Sequence, residues 1–596
     1  MNKQIGIKSI GTLVAAFILW LTYYLTQPTI SFAHLGGFGF IAFTVVVIAA
    51  VVSMWLTDFD GYDFFWYPVA GAAALAFVVL IGGWLVGSPF FTDDKMHNQI
   101  GKVEEVEFAE MISQIDHSQI PIVDDDFAQK QADKKMGEDI ALGSRAHLGD
   151  ATIQDVNGEI MYVAYLQHDS FFKWLKFKST PGYITVSATN PNKVEYVTEI
   201  GDEKIEVVYS PNAYFDKDLK RHIRNEGYRT QALTDYTFEL DNSGRPFWVV
   251  TAYDNTTVWG NPEAAGSIIV DAQTGETKYY SVEETPDWVD IIQPVDFVEN
   301  QIDNWGLYVH GWLNPSNQDE IKKTEKTLTV YSDGDCYYFT GMTSVGADES
   351  CVGFIMVNTR DKSSKICYMS GATEDAAMKS AEGIVSDYGY IATEPLPLNV
   401  NGIPTYVMSL KDSEGLVKSY AMVNIQSYNI VAKGDTLKEA SKSYVQQVAK
   451  SGQSNVVSSD EAYGYTLEGK IERISTVVED GSTYYYIIVE NEPGKIFTAS
   501  YITSDELSIT RDGDEVVINY IDDQNGTIDI VSFDNKSFGV TISKDQEHRD
   551  ELDEGSSALD NQLNEIIKVN PEMNEEKWNS LSEEEKSKLI QEFLGA

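Results

Sequence analysis

The sequence predicts a three-span α-helical membrane segment followed by an α+β ectodomain, which consists of two duplicated helix-on-antiparallel-sheet modules and a small C-terminal β-barrel. Three observations indicate this fold class. The first 92 residues contain three apolar runs without a charge, the middle of the chain repeats one order of landmarks, and residues 469–534 alternate apolar and polar side chains between hairpin turns. At 596 residues the chain is long enough for several domains.

The chain is strongly acidic. It carries 44 Lys and Arg against 91 Asp and Glu, for a net charge of -47, and nearly all of that charge follows residue 92. Such a chain repels phosphate backbones and anionic lipid surfaces, which argues against nucleic acid as a partner. The charge suits a cation-rich exterior or a basic ligand, although acidic side chains also simply keep an exposed protein soluble.

The three apolar runs each approach the roughly 20 residues that a helix needs to cross a hydrocarbon core. They cover 10–25, 38–56 and 69–86 within a membrane segment assigned to 1–92. A cleaved signal peptide is the alternative for the first run, but no small-residue cleavage site follows it. Lys3 and Lys8 favour a cytoplasmic N-terminus, although Lys95 and Lys102 follow the third run. Three spans then place the chain after about Asp93 outside the cell membrane.

The loop between the second and third runs is acidic. Asp58, Asp60 and Asp63 surround Gly61 there, and alternating oxygen ligands could hold a divalent cation. The loop lacks the distal Glu of an EF-hand, so a solvated turn at the membrane edge is favoured and no metal site is predicted.

Residues 93–154 are predicted to form an acidic helical connector. Apolar side chains within 99–122 follow the spacing of a short amphipathic helix. Asp124, Asp125 and Asp126 precede another helical stretch, where carboxylates cap free N–H groups and interact favourably with the helix dipole. Capping explains this acidic run better than metal binding does.

Two parts of the middle region, 155–284 and 329–450, contain the same landmarks in the same order. The matched stretches are 182–189 (GYITVSAT) with 353–360 (GFIMVNTR), and 244–254 (GRPFWVVTAYD) with 402–412 (GIPTYVMSLKD). A helix-like run that ends in Gly-Tyr lies between the two stretches in each part. Because an unrelated coincidence would not preserve this order, the two parts are predicted to be copies of one module.

Each module is predicted to pack one helix on an antiparallel sheet. The helix-like runs cover 215–228 and 373–390, and their apolar residues recur at spacings that would cover one face of a sheet. A glycine precedes Tyr228 and Tyr390, where a helix C-cap favours a left-handed residue.

The stretch 268–278 of the first copy, IIVDAQTGETK, resembles the closing hairpin of a PepSY-type module, whose hallmark is Asp-Ala-x-Thr-Gly before a strand. The resemblance covers the second half of the first copy. In the second copy Val423, Asn424 and Ile425 stand at this place, and the Thr-Gly turn is missing. PepSY-like modules occur in secreted and membrane-bound bacterial proteins, sometimes beside proteases, so the resemblance implies a module that binds or restrains a partner.

Five side chains of the connector 285–328 are the candidate ligand-binding residues. They are Trp288, Trp305, Tyr308, His310 and Trp312. Aromatic side chains provide a large contact area at low entropic cost, so this set could line a groove for a peptide or a glycan. Packing of the two copies against each other would use the same residues and is the favoured interpretation.

Residues 451–543 are predicted to form a small barrel, for which an oligonucleotide-binding (OB) type is one candidate. Asp480-Gly481, Asp512-Gly513 and Asn525-Gly526 are hairpin signals. The excess of acidic residues makes nucleic acid an unexpected ligand.

The tail 544–596 is predicted to be an acidic linker and a helix. The helix begins near Ser582, with Glu585 completing a capping box. Its apolar face could contact a partner or the rest of the chain.

The three cysteines do not form a recognisable framework. Cys336, Cys351 and Cys367 show neither a C-x-x-C motif nor a zinc spacing. A Cys336–Cys351 bridge across a hairpin would leave Cys367 unpaired, and sequence alone does not establish the close contact that it needs.

No pattern of catalytic residues is specific. The chain has no H-E-x-x-H, G-x-S-x-G or P-loop motif. His168, Asp169 and Ser170 are triad residue types, but neighbours along a chain rarely converge as a triad. No catalytic residue, metal ligand or cofactor is therefore predicted.

Two functional hypotheses of different classes follow. The first is a membrane-anchored, extracytoplasmic, non-enzymatic binding or scaffold protein of a bacterial, Gram-positive, cell envelope, with an envelope protein, a peptide or a glycan as its partner. The second is an envelope enzyme, or a subunit that regulates a protease, with its site in the connector 285–328. The first is favoured because no catalytic motif is found.

Overall fold

The computed structural model is described for part of the chain and divides into two compact units, Met1–Tyr444 and Val445–Ala596. The described residues are 2–56, 62–112, 120–138, 140–143, 145–332, 334–345, 350–400, 402–451, 465–479, 482–490, 492, 494–500, 503–521 and 527–538. The acidic loop around Asp58 and Asp60 and the predicted helix at Ser582 lie outside the described residues. The predictions for those two segments stay predictions.

Three N-terminal helices are long and apolar enough to cross a membrane, as the sequence predicts. They are α1 (Asn2–Thr26), α2 (Leu35–Leu56) and α3 (Tyr62–Val86). Almost none of the side chains in their apolar windows is buried inside the protein, which is the pattern expected of helices that face lipid.

After α3 the chain forms a short helix, a strand and a single helical turn. These elements are α4 (Pro89–His97), β1 (Val103–Glu105) and α5 (Phe108–Met111). The amphipathic helix predicted over 99–122 was therefore wrong in the part that is described. β1 pairs in parallel with Ser364–Cys367, and the side chains of Val103 and Val106 pack into two different hydrophobic clusters. The apolar residues of this stretch are buried on two opposite sides of an extended segment, and they do not form one face of a helix.

The next elements form sheet 1. They are α6 (Asp125–Gly137), α7 (Ile140–Gly143), β2 (Ala146–Val156), β3 (Glu159–His168), α8 (Phe171–Phe177), β4 (Thr180–Pro181), β5 (Tyr183–Ser187), β6 (Val194–Val197), β7 (Glu199–Ile200), β8 (Glu203–Lys204) and β9 (Glu206–Val207). Sheet 1 is an antiparallel meander in the order β2-β3-β5-β6, and Ala128 of α6 is buried against its Ala164 and Ile184. The predicted cap is confirmed, because the Asp124 carboxylate accepts a hydrogen bond from the N–H of Phe127 at 2.9 Å.

Sheet 2 follows, again after a helix. Its elements are α9 (Leu219–Asn225), β10 (Ala232–Leu240), β11 (Pro246–Thr257), β12 (Gly260–Asp271) and β13 (Thr277–Ser281), and the strands pair in that order. The helix is shorter than the predicted run 215–228, because Phe215–Lys217 form a 3-10 turn and the Asp218 carboxylate caps α9 through the N–H of Arg221. Gly227 after α9 is left-handed, with a φ of 111°, as expected.

Sheet 3 includes part of the predicted connector. Its elements are α10 (Val295–Leu307), β14 (Ile321–Lys323), β15 (Leu328–Ser332), β16 (Asp335–Ser344), β17 (Ser350–Cys351), β18 (Gly353–Asn358), β19 (Ser364–Cys367) and β20 (Gly371–Ala372). The sheet runs β1-β19-β18-β16, and β14 and β15 both pair with β16. Cys336, Cys351 and Cys367 are buried free thiols, so the structure does not contain the Cys336–Cys351 bridge.

Sheet 4 completes the first unit. Its elements are α11 (Glu374–Gly383), β21 (Ile391–Ala392), β22 (Leu396–Val400), β23 (Ile403–Lys411), β24 (Val417–Asn424) and β25 (Val431–Gly434), after which α12 (Leu437–Lys450) begins. β21 and β22 both pair with β23, and β24 and β25 follow. α11 ends before the predicted Gly389-Tyr390 boundary, because residues 384–389 form overlapping turns instead of continuing the helix, and Gly389 is left-handed at a φ of 66°.

The first unit contains two large hydrophobic cores. One lies between sheet 1 and sheet 2, includes Leu219 of α9, and contains Val163 and Trp248. The other lies between sheet 3 and sheet 4, includes Ala377 of α11, and contains Phe354 and Tyr406. In addition α6 covers the outer face of sheet 1, and α10 covers the outer face of sheet 3.

Sheet 2 contacts the membrane helices directly. Trp259, at the tip of the β11–β12 hairpin, packs on Phe38 of α2 with ring centroids 4.8 Å apart, and its indole N–H donates to the carbonyl of Phe32 at 2.9 Å. The carbonyl of Val258 lies close to Gly87, just after α3. The α1–α2 loop and the end of α3 therefore contact the same sheet, which is the arrangement that three spans require.

In the second unit five strands form a closed barrel. They are β26 (Tyr465–Glu479), β27 (Ser482–Val489), β28 (Ile496–Ser500), β29 (Glu515–Ile521) and β30 (Thr527–Asn535). Their order is β26-β27-β28-β30-β29, with β29 pairing back to β26 and with β28 and β30 parallel. Ile487, Phe497 and Ile518 are fully buried in its interior.

Candidate functional site

Two of the five predicted aromatic residues pack in different hydrophobic clusters. The ring of Trp288 lies against Phe247 of sheet 2, with centroids 5.2 Å apart. Trp305, a residue of α10, packs against sheet 3, and its carbonyl contacts Nδ1 of His97 at 2.8 Å. Each of these two side chains packs on a single sheet, and the predicted packing of the two copies against each other stays a prediction.

The other three lie near the segment that leaves the membrane. Trp312 packs edge-on against Phe90 with centroids 5.3 Å apart, and its backbone N–H donates to the Asp93 carboxylate at 2.7 Å. His310 contacts Asp319 at 2.8 Å, and partial burial raises the pKa of Tyr308. The five side chains thus contact different elements, and their joint role as a ligand groove stays a prediction.

A cavity of about 760 Å³ provides a better candidate. It opens between the start of α6 with strands β2 and β3 on one side, and β21–β23 of sheet 4 on the other. We call it the acidic cleft. Its charged lining residues are Asp124, Asp125, Asp126, Lys130, Glu394, Lys411 and Asp412. A concave site of this size, with apolar walls and a few charged groups, is typical of a binding site.

The two sides of the acidic cleft are joined by buried polar contacts. The Asp124 carboxylate, which caps α6, also forms an ion pair with Lys411 of β23. The hydroxyl of Ser409 donates to the carbonyl of Ile122 at 3.0 Å. Lys411 is only 8% exposed, so this contact is held away from water and its rupture would leave a buried charge without a partner.

The carboxylates at the mouth of the cleft are unevenly neutralised. Glu394 pairs with Lys326 at 3.0 Å and Asp412 pairs with Lys418 at 3.1 Å. Asp125 and Asp126 form no ion pair among the described residues, which leaves a local excess of negative charge.

The electrostatics of Asp125 follow from this arrangement. Partial burial, together with the negative charges of Asp126 and Asp124, raises the pKa of Asp125 above its usual value. Burial and the neighbouring carboxylates of Asp125 and Asp124 also raise the pKa of Tyr162 in the cleft wall. A cation bound in the cleft would relieve this repulsion.

Apolar side chains form much of the remaining lining. Ile153 of β2, Met378 of α11 and Leu396 of β22 are partly buried there. An extended segment with basic and apolar side chains has the chemistry that matches both kinds of lining.

The other candidate motifs do not assemble a reactive centre. Asp169 contacts Nδ1 of His147 at 2.8 Å and pairs with Lys173, while Ser170 caps α8. His168 therefore does not share a triad with its two neighbours. Within the described ranges, no group of three or more His, Cys, Asp or Glu residues is arranged to hold a metal ion.

Sequence reasoning identified one wall of the cleft and missed the site. The acidic run 124–126 was interpreted as a helix cap that also interacts with the helix dipole: Asp124 caps α6, and Asp125 and Asp126 lie in its first turn. Lys411 lies 287 residues further along the chain, and no local pattern links it to the run.

No protein-family model matches the chain, and no curated protein matches it. Among solved structures, a crystal structure of a levansucrase mutant of B. megaterium aligns with 10% identity over 72% of this chain and 95% of that chain. The TM-score of 0.17 is too low for this alignment to carry an argument about fold or function.

Proposed function

We propose that the chain is a non-enzymatic binding protein of the cell envelope of a Gram-positive bacterium, anchored in the membrane with its bulk outside the cytoplasm. The acidic cleft holds a basic peptide segment of an envelope partner. The observation that carries this proposal is the convergence of Asp125, Asp126 and Glu394 on one concave site. Repulsion among these carboxylates disfavours the empty state, so a cationic ligand gains binding energy by removing it.

The proposal includes an internal duplication of the first unit. Residues 125–281 and 295–434 each contain a helix, a mainly antiparallel sheet, a second helix and a second sheet. Both sheets of the first range have four strands, whereas sheet 3 has six, including β1, and sheet 4 has five. Leu219 and Ile223 of α9, and Ala377 and Ala381 of α11, are buried in the cores that the two sheets of each range share. In this assignment α10 begins the second copy, and the acidic cleft lies where sheet 1 of the first copy meets sheet 4 of the second.

We assign the β12–β13 hairpin to a PepSY-like module, and the barrel to the OB type. In the hairpin the Asp271 carboxylate accepts the N–H groups of Gln273 and Thr274 at 2.9 and 2.8 Å, and Gly275 is left-handed. This local geometry gives each residue of the Asp-Ala-x-Thr-Gly pattern a role in the turn. The strand order of the barrel supports the OB assignment.

Binding of a model peptide to the full-length protein in detergent tests the function. The probe is a fluorescent decapeptide of alternating Lys and Leu, compared with a Glu and Leu peptide of the same length. We expect saturable binding of the Lys peptide only. The double variant Asp125→Asn/Asp126→Asn should weaken it about tenfold, since lost charge-assisted contacts commonly cost about 1.4 kcal/mol or more.

The double variant Asp202→Asn/Glu203→Gln is the matched control, because it removes two adjacent exposed carboxylates from the β7–β8 turn. Affinity for the Lys peptide should also fall as the pH decreases through the raised pKa of Asp125. Equal affinity of both double variants, or equal binding of both peptides, would exclude the acidic cleft as the binding site.

A further inference from the structure

A second cavity lies where the first unit contacts the membrane helices. It has a volume of about 480 Å³ and is lined by the α1–α2 loop, the start of α2, and Lys220 and Arg224 of α9. A smaller cavity of about 240 Å³ shares Gln27 and Lys220 with it and is also lined by Arg221.

Three cations gather at this place in a chain whose net charge is -47. Lys220 donates to the carbonyl of Thr26 at 3.3 Å, and the guanidinium of Arg221 lies 4.2 Å from the ring centroid of Tyr24. Among the described residues, none of Lys220, Arg221 and Arg224 forms an ion pair with a carboxylate. Asp218, which lines the smaller cavity, uses its carboxylate to cap α9.

Arg224 is the most deeply buried of the three, at 1% exposure. Its terminal nitrogens donate to the carbonyls of Tyr228 and Gln231, both at 2.6 Å, and to the hydroxyl of Thr29 at 3.0 Å. Its Nε has no hydrogen-bond partner, and neither has Oε1 of Gln27, which is 5% exposed. A buried cation that contacts only neutral groups is costly unless an anion compensates it.

Burial and mutual repulsion both disfavour the positive charges of these side chains. Burial lowers the pKa of Lys220, and the positive charge of Arg224 lowers it further. Burial also lowers the pKa of Arg224. An anion placed between these side chains would reverse both effects.

The position of the cavity indicates which anion is available. Thr26 ends the first candidate span and Leu35 begins the second, so the cavity lies at the level of the lipid headgroups. The lining continues along α2 through Gly36 and Gly39 to Phe40 and Phe43, which lie within the span. A free phosphate would make no favourable contact with this apolar extension, whereas the acyl chain of a phospholipid would be buried along it.

We propose that this cavity, the headgroup pocket, binds one anionic phospholipid, with its phosphate between Lys220, Arg224 and the first turn of α2 and its acyl chain along Phe40 and Phe43. The positive end of the α2 dipole adds to the attraction. The acidic bulk of the ectodomain repels anionic membrane surfaces, whereas this pocket is locally positive and attracts them. Lipid binding in the pocket would hold sheet 2 at the bilayer surface.

Native mass spectrometry of the full-length protein in detergent, titrated with single lipids, tests the proposal. We expect one saturable phosphatidylglycerol per chain, weaker binding of phosphatidylcholine, and no competition by inorganic phosphate or glycerol phosphate at the same concentrations. Lys220→Gln should weaken phosphatidylglycerol binding about fivefold. Lys134→Gln, an exposed position on α6, should leave it unchanged.

Equal binding of the two lipids, or equal affinities of the two variants, would overturn the proposal. Competition by inorganic phosphate would show that the pocket binds a soluble anion instead of a lipid. The lipid comparison needs no variant, so it decides the question even if Lys220→Gln does not fold. None of these results depends on peptide binding at the acidic cleft.

Discussion

Glu239 is a carboxylic acid held inside the first unit. It lies in β10 between Phe238 and Leu240, and all three side chains are buried. One carboxylate oxygen accepts the hydroxyl of Thr237 at 2.7 Å, and the other has no hydrogen-bond partner. Burial, with the negative charge of Asp290, raises the pKa of Glu239 to about 8. Burial also raises the pKa of Asp290 itself to about 6.

The stability of the protein should therefore depend on pH through Glu239. Because its pKa is raised in the folded state, the folded protein holds this proton more tightly than the unfolded chain. Stability then falls as the pH rises from about 4.5 to about 8. Glu239→Gln should remove this fall and stabilise the protein at pH 8 on the order of 3 kcal/mol relative to the wild type.

Unfolding temperatures of both proteins between pH 4.5 and 8.5 measure the effect. The exposed position Glu276→Gln is the control, and it should keep the wild-type profile. Parallel profiles for Glu239→Gln and the wild type would mean that Glu239 is ionised in the folded protein.

At the scale of elements, the β11–β12 hairpin connects sheet 2 to the three N-terminal helices. The ring of Trp259 lies so close to α3 that a Cβ added to Gly83 would be 2.4 Å from it. A Cβ added to the neighbouring Gly82 would meet nothing within 4 Å. The two glycines thus differ in environment although they are adjacent in one helix.

Gly83→Ala should destabilise the contact between α3 and the hairpin by about 1–3 kcal/mol, because the rigid indole ring has to move. Gly82→Ala should be neutral or slightly stabilising, since alanine favours a helix. Thermal unfolding in detergent compares the two variants. A loss of stability that is equal in both variants would contradict the close approach.

The elements also show which local predictions succeed. The α6 cap was predicted correctly because Asp124 and Phe127 are neighbours in the chain. The helix over 99–122 was not, because β1 obtains its hydrogen-bond partners from β19, far along the sequence. Apolar spacing alone does not distinguish one buried helix face from an extended segment that is buried on two sides.

At the scale of the whole molecule, three spans put the α1–α2 loop and the segment that follows α3 on the same side of the membrane. The contacts of Phe32 with Trp259 and of Val258 with Gly87 fit this arrangement. They do not depend on whether that side is inside or outside the cell. The positive charges near the N-terminus favour a cytoplasmic N-terminus, which would put the side with the α1–α2 loop outside the cell.

Labelling of single engineered cysteines with a membrane-impermeant maleimide tests the orientation. The native cysteines are buried, and burial raises the pKa of Cys367 to about 11, so they should react slowly. We expect Asp202→Cys, at an exposed position, to be labelled in intact cells. Asn2→Cys, which precedes the first candidate span, should be labelled only after lysis. The reverse pattern would place the ectodomain in the cytoplasm and exclude an envelope partner.

The sequence by itself determined the three spans, the α6 cap and the Thr274-Gly275 turn of the β12–β13 hairpin, because each depends on residues that are close together in the chain. Asp512-Gly513, predicted as a hairpin turn, instead precedes β29 without joining two paired strands, and Asp480-Gly481 and Asn525-Gly526 lie outside the described residues. Tertiary structure alone decided the burial of Glu239, the pairing of Asp124 with Lys411 across 287 residues, and the approach of Arg224 to Thr29 across 195 residues. The acidic cleft and the headgroup pocket consist of such distant pairs. Their chemistry arises only when separate elements bring together charges that no local periodicity relates.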